Sequence, residues 1–162
     1  MKKIIFTMML LATTMMSVQA QEIFTEVKRM AQANVENPEA NPLVKKINKF
    51  KLDALNYMAM KMREEMPDST AELLDKEALS LHLFITNYTN ALVANSKQPA
   101  AYQTKVIQAF MDASFSNPLF NDPDKETVLA YFADGNNLTR FSLDTDWRRA
   151  VLAAEEALKK IQ

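Results

Sequence analysis

Cysteine is absent from this chain, and glycine and histidine occur once each in 162 residues. Each scarcity excludes something. Without cysteine there is no disulfide framework, and a lone histidine leaves no zinc site of the usual nitrogen and sulfur kind. A single glycine cannot supply a Walker loop, a dinucleotide-binding fingerprint or a nucleophile elbow, because each uses at least two. Tight β-hairpins also draw on glycine for their turns. An all-α fold is therefore the expectation before any periodicity is counted. No cofactor and no metal is expected.

Charge of one sign is missing over most of the chain, with two exceptions. The first is the N-terminus. Lys2 and Lys3 precede an apolar run of 13 residues, 4–16, and Val18-Gln19-Ala20 has the small-x-small form of a signal-peptidase site. The run is shorter than the ~20 residues that span a bilayer. Residues 1–20 are expected to be a cleaved signal peptide, cut between Ala20 and Gln21, with 21–162 as one helical domain. No cysteine follows the run, which leaves no site for a lipid at the new N-terminus. The mature chain would keep 17 of 19 basic residues against 20 acidic ones, a net charge of about −3. That balance gives no tilt toward nucleic acid. No later stretch is apolar enough to span a membrane.

The stretch that organises the rest is 73–93. Leu74, Ala78, Leu81, Ile85, Tyr88 and Leu92 are spaced 4, 3, 4, 3 and 4 apart. That spacing is one stripe of a helix. Phe84 and Leu73 widen it, and Leu79 and Leu83 carry apolar surface to the other side, so the helix is expected to be buried. Ser69 with Glu72 forms a capping box at its start, after Pro67. The expected architecture is a compact bundle of five to six antiparallel helices around this central helix, at about 69–94.

The remaining helices read off in order. Residues 22–36 present Ile23, Val27, Met30 and Val35. Asn41 caps and Pro42 opens a second helix to about residue 66. Its inner arc is Leu43, Ile47, Phe50, Ala54, Tyr57 and Met58. A fourth helix, about 99–115, turns Tyr102, Val106, Ala109, Phe110 and Ala113 inward. Leu119 and Phe120 lie in a loop and are expected to fold back onto the body. Asp122 is read as a cap and Pro123 as the opening of a short helix to about 133, with Gly135 in the left-handed position beyond it. Residues 136–143 read as irregular. Asp144 is read as the cap of a last helix with Trp147, Ala150, Val151, Ala154, Leu158 and Ile161 inside.

The second exception in charge is the second helix. Residues 42–63 hold six basic residues and one acidic, a local charge of +5. Lys45, Lys46, Lys49 and Arg63 fall on its outer arc, joined there by Met60. This arc is the candidate interaction surface, weighed against an ordinary solvated face. Met58 and Met62 fit the core; Met66 completes the methionine cluster at the end of the helix.

Other chemistry-bearing residues have bland readings. His82 lies on the central helix, with Asp75, Ala78 and Thr86 as neighbours, and reads as a core or core-edge histidine satisfied by a hydrogen bond. The carboxylates Asp122, Asp124 and Glu126, and Asp144 with Asp146, gather at helix starts, where capping and the helix dipole favour them. Glu64 and Glu65 form a third pair. No catalytic constellation is recognisable. Asn87-Tyr88-Thr89 and Asn137-Leu138-Thr139 match the N-glycosylation triplet, and Asp68-Ser69-Thr70 a short bacterial O-glycosylation pattern.

The Val-Gln-Ala-Gln-Glu junction and residues 140–147, Arg-Phe-Ser-Leu-Asp-Thr-Asp-Trp, resemble small secreted proteins of unknown function from Gram-negative bacteria. The resemblance implies export to the periplasm or beyond and carries over no activity and no site residue. The expected function is a non-catalytic binding or protein-interaction module with an unidentified protein partner. The alternatives are a carrier of a small apolar ligand held between helices and, third, a hydrolase.

Overall fold

The computed structural model describes residues 22–66, 71–120, 124–138 and 140–161. The signal-peptide reading, the capping box at Ser69 and the readings of Asp122 and Pro123 therefore lie outside the described residues. Within them the chain forms six helices and no strand: α1 Ile23–Glu36, α2 Pro42–Glu65, α3 Ala71–Ala94, α4 Ala100–Phe115, α5 Lys125–Ala133 and α6 Trp147–Ile161. The chain is an all-α bundle. None of these helices is long and apolar enough to cross a membrane.

The expected hub is the observed one. Helix α3 packs against α1, α2, α4 and α6. Ala78, Leu81, Phe84, Ile85 and Tyr88 are all buried. Leu83, on the far side, is exposed, so α3 keeps one edge in water. Pairings along the helices fix the directions. Asp75, near the start of α3, reaches Phe24 at the start of α1, and Glu77 reaches Trp147 at the start of α6. Helices α1, α3 and α6 thus begin at one end of the bundle. Short connectors turn α2 and α4 the opposite way.

Carboxylates on α3 reach across to the starts of two neighbouring helices. No side chain of Glu22 caps α1; Asp75 Oδ1 accepts the Phe24 N–H at 2.8 Å instead. Glu77 Oε2 accepts the Trp147 N–H at 2.8 Å. Both carboxylates are buried. A negative charge is stabilised there by free N–H groups and the helix dipole. The central helix therefore holds its neighbours by polar contacts as well as apolar ones.

The segment read as irregular supplies the middle of the core. Phe141 is fully buried, with its ring 5.1 Å from Phe84, 5.0 Å from Tyr88 and 5.7 Å from Phe50. Trp147 stands 5.3 Å from Phe84 and 5.9 Å from Phe50. Most of these rings meet edge to face, which adds roughly 0.5–1.5 kcal/mol per pair to the burial itself. Phe120 is buried, as expected of the preceding loop. A polar clasp fastens the segment: Ser114 Oγ lies 2.9 Å from Thr145 Oγ1 and accepts the Ser142 N–H at 2.9 Å.

Four local expectations are corrected. The cap of α6 is Asp146, which accepts the Arg149 N–H at 3.0 Å, and not Asp144. Asp144 turns the other way and accepts the N–H groups of Leu119 and Phe120 at 3.2 Å each, closing the loop before α5. Helix α5 begins at Lys125 behind Asp124, whose Oδ1 accepts the Thr127 N–H at 3.0 Å. Gly135 is not left-handed. Helix α5 ends through Asp134 in an extended conformation, and its side chain accepts the Asn136 N–H at 2.9 Å, so the turn needs no positive φ. A Cβ on Gly135 would meet nothing within 4 Å. Leu43, placed on the inner arc, is 59% exposed in the first turn of α2.

Candidate functional site

The outer face of α2 is the wall of a cleft. Lys49, Asp53, Asn56, Tyr57 and Met60 follow one another at helical spacing along it. Thr127, Tyr131 and Asp134 do the same on α5 opposite. Asn136 and Asn137 close one end and Leu143 lies at the floor, around an open volume of about 470 Å³. Helix α5 has no fully buried residue; Val128 and Tyr131 pack partly buried against the core, Phe132 meets Phe115 edge to face, and polar contacts across the cleft add to these.

The polar contacts form a chain of hydrogen bonds. Tyr131 donates its hydroxyl to Asp53 Oδ2 at 2.9 Å. Lys49 Nζ donates to the same oxygen at 2.7 Å and to Asn137 Oδ1 at 2.8 Å. The Lys49 ammonium also stands 5.5 Å from the centre of the Tyr131 ring. At the other end, Tyr57 accepts the Asp124 N–H at 3.1 Å. Burial, the hydrogen bond to Asp53 and the charge of Asp53 push the Tyr131 phenol well above its ordinary range. Tyr131 therefore remains a proton donor at any physiological pH. The cleft offers fixed donors and acceptors along its sides, with the exposed Asn56 and Met60 at its lip.

The sequence-predicted surface is only partly brought together here. Lys49 and Met60 line the cleft. Lys46 sits beside it and donates to the Gly135 carbonyl at 3.2 Å, tying α2 to the turn after α5. Lys45 is half-buried and Arg63 exposed, and neither lines the cleft. They are 18 positions apart on one helix, about 27 Å at 1.5 Å per residue. Asp53, Tyr131 and Asn137 were not foreseen. A local signal did exist: Asp53 stands four residues after Lys49, the spacing of a helical ion pair.

The remaining candidates resolve individually. Glu64 and Glu65 lie beside Lys61, at 3.6 and 2.6 Å. Met58 and Met62 are buried and Met60 is 43% exposed, as the spacing implied. Among the described residues, no group of three or more His, Asp or Glu converges as a metal site would require.

His82 is half-buried, and among the described residues its ring makes no hydrogen bond, contrary to expectation; only its carbonyl is used, by Thr86. Burial, and then the charge of Lys51, hold its pKa down to about 4. Lys51 is itself buried without an anionic partner among the described residues, and burial lowers its pKa to about 8. At pH 7 the folded state therefore carries a charge it solvates poorly. Lys51→Met is expected to stabilise the fold by about 1–3 kcal/mol at pH 7. The gain should shrink as pH rises through 8 toward 10.5, where the wild-type lysine deprotonates first in the folded state. Urea midpoints at pH 7 and pH 10 check both statements.

Compared with protein families, with curated proteins and with solved structures, the chain finds no significant match in any of the three.

Proposed function

We propose that this is an exported, non-catalytic binding module whose partner docks on the cleft between α2 and α5. Export to the periplasm or beyond rests on the N-terminal sequence, with cleavage between Ala20 and Gln21. The observation that carries the docking reading is the hydrogen-bonded chain Lys49–Asp53–Tyr131 with Asn137, which fixes both walls in advance. Fixed polar walls lower the ordering cost of association. A cleft that is open along its length suits an extended protein segment better than an enclosed small molecule.

Site-specific photo-crosslinking tests this. A benzophenone side chain is placed at Asn56 or Met60 in the cleft, and at Lys105 or Leu152 elsewhere, in cells that make the protein. Discrete adducts are expected from the first two positions and not from the second two. Adducts of equal yield from all four would remove the cleft from consideration.

A second reading, a carrier of a small apolar ligand, is favoured by a separate observation. A pocket of about 210 Å³ lies among α3, α4 and α6, lined by Phe84, Phe110, Val151, Ala154 and Leu158, with Asn87, Asn90 and Glu155 around it.

A further inference from the structure

The pocket among α3, α4 and α6 has a physical origin in the sequence of α6. Ala154, buried on α6, shares the pocket lining with Phe84 of α3 and Phe110 of α4. The two rings meet edge to face at 5.3 Å and form the inner wall. Alanine at position 154 leaves the space in front of them unfilled, and Val151 and Leu158 flank it one turn on either side. The pocket is partly open to solvent, and its unfilled apolar wall forfeits contact on one side. An apolar cavity of about 150 Å³ already accepts benzene. At about 210 Å³ this one has room for a single ring with a short substituent.

The polar groups lining it are two amides and one carboxylate. Among the described residues, the side chains of Asn87, Asn90 and Glu155 have no hydrogen-bond or ion-pair partner, although each lines the pocket. Glu155 is its one charged lining residue, and the charge is negative. Asn87 and Asn90 stand three apart on α3, and an amide free of other partners can turn its carbonyl to a bound donor.

We propose that this pocket binds a small organic cation: a compact aromatic or branched aliphatic body seated against Phe84 and Phe110, with an ammonium group held by Glu155, Asn87 and Asn90. The proposal rests on the carrier reading and adds the chemical class of the cargo. The apolar wall sets the size limit, through Phe84, Phe110 and Ala154. The rim sets the charge preference. An exposed carboxylate alone discriminates weakly, so the preference is modest and sensitive to salt.

The test titrates the purified protein with toluene, benzylamine, benzyl alcohol and benzoate while following the methyl resonances of Val151 and Leu158. All but benzoate are expected to shift these methyls. Benzylamine should bind about threefold to tenfold more tightly than benzyl alcohol at low salt, a ratio in line with one partly exposed ion pair. Glu155→Gln should abolish that difference and leave toluene binding unchanged. Leu158→Trp, at the half-exposed rim, should block all of the probes while the circular dichroism spectrum stays helical. If no probe shifts the methyls, the carrier reading fails. If toluene binds but benzylamine gains nothing over benzyl alcohol, or Glu155→Gln leaves the difference in place, the carrier reading stands and the cation proposal is overturned.

Discussion

Leu81→Ala is expected to cost about 2–5 kcal/mol, the sum of lost transfer free energy and the cavity left behind. Leu81 is fully buried in the middle of α3, the helix that touches four others. The cavity would be ringed by more than one helix, so no single neighbour can relax into it. A domain of this size has about 5–15 kcal/mol in total, and removing the three outer carbons of one buried leucine should take a large share of it. Leu81→Asp should leave no folded protein, because a buried carboxylate there has no partner. The control is Leu152→Ala on the outer side of α6, where the side chain is 63% exposed and the change should stay within about 0.5 kcal/mol. Lys49 would be a poor control, since it joins Asp53, Asn137 and the ring of Tyr131. Urea midpoints of the purified variants decide the matter. A Leu81→Ala cost no larger than that of Leu152→Ala would move the centre of the fold away from α3.

The central helix was legible because its pattern is long and its period unambiguous. Six apolar residues at 3.6 spacing without a Gly or Pro leave little else for 73–93 to be. The same holds for α2, where Asn41 and Pro42 mark the start and the Asn41 side chain accepts the Leu43 N–H at 2.8 Å. What was not legible depends on contacts between residues far apart in the chain. Asp144 and Asp146 stand two apart before a helix, and local rules allow either to cap it. Asp144 is turned away because the N–H groups of Leu119 and Phe120, 25 and 24 residues earlier, need an acceptor. Residues 136–143 have no period at all, yet Phe141 sits at the centre of the aromatic cluster. A buried residue on an irregular segment leaves no trace in periodicity. The cleft was half legible. Lys49 and Met60 could be placed on one face of α2, but their opposite wall is built by α5, whose position no local rule supplies.

Glu77 is the group whose removal should change the pH dependence of stability most. Burial, and then the negative charge of Asp146, push its carboxyl up to about 7, against the N–H groups of Trp147 and Arg148 and the Arg148 guanidinium, which favour the charged form. In the unfolded chain it titrates near 4.5. The folded state therefore holds a proton more firmly, and Glu77 contributes stability in acid that is lost as pH rises through about 7. His82 acts in the opposite sense. Its pKa of about 4 in the folded state, under burial and the charge of Lys51, lies below the ordinary 6.5. Its contribution is present above pH 6.5 and is lost as pH falls toward 4. Between about pH 4.5 and 6.5 the two slopes offset one another in the wild-type chain. Glu77→Gln keeps one acceptor for the Trp147 N–H and removes the titration, so the variant should lose about 1–3 kcal/mol as pH falls from 7 to 4.5, through His82 alone. His82→Gln should do the reverse and become more stable in acid by a similar amount. Urea unfolding of the three proteins at half-unit steps from pH 4.5 to 8 gives the slopes directly. Parallel curves for all three would mean that neither group changes its affinity for protons on folding. Glu77→Ala separates the pH effect from the capping effect. Like Glu77→Gln it removes the titration, but it also leaves the buried Trp147 N–H without its acceptor, so relative to Glu77→Gln its cost of about 2–4 kcal/mol should appear at every pH, because it comes from the missing oxygen and the empty space rather than from charge.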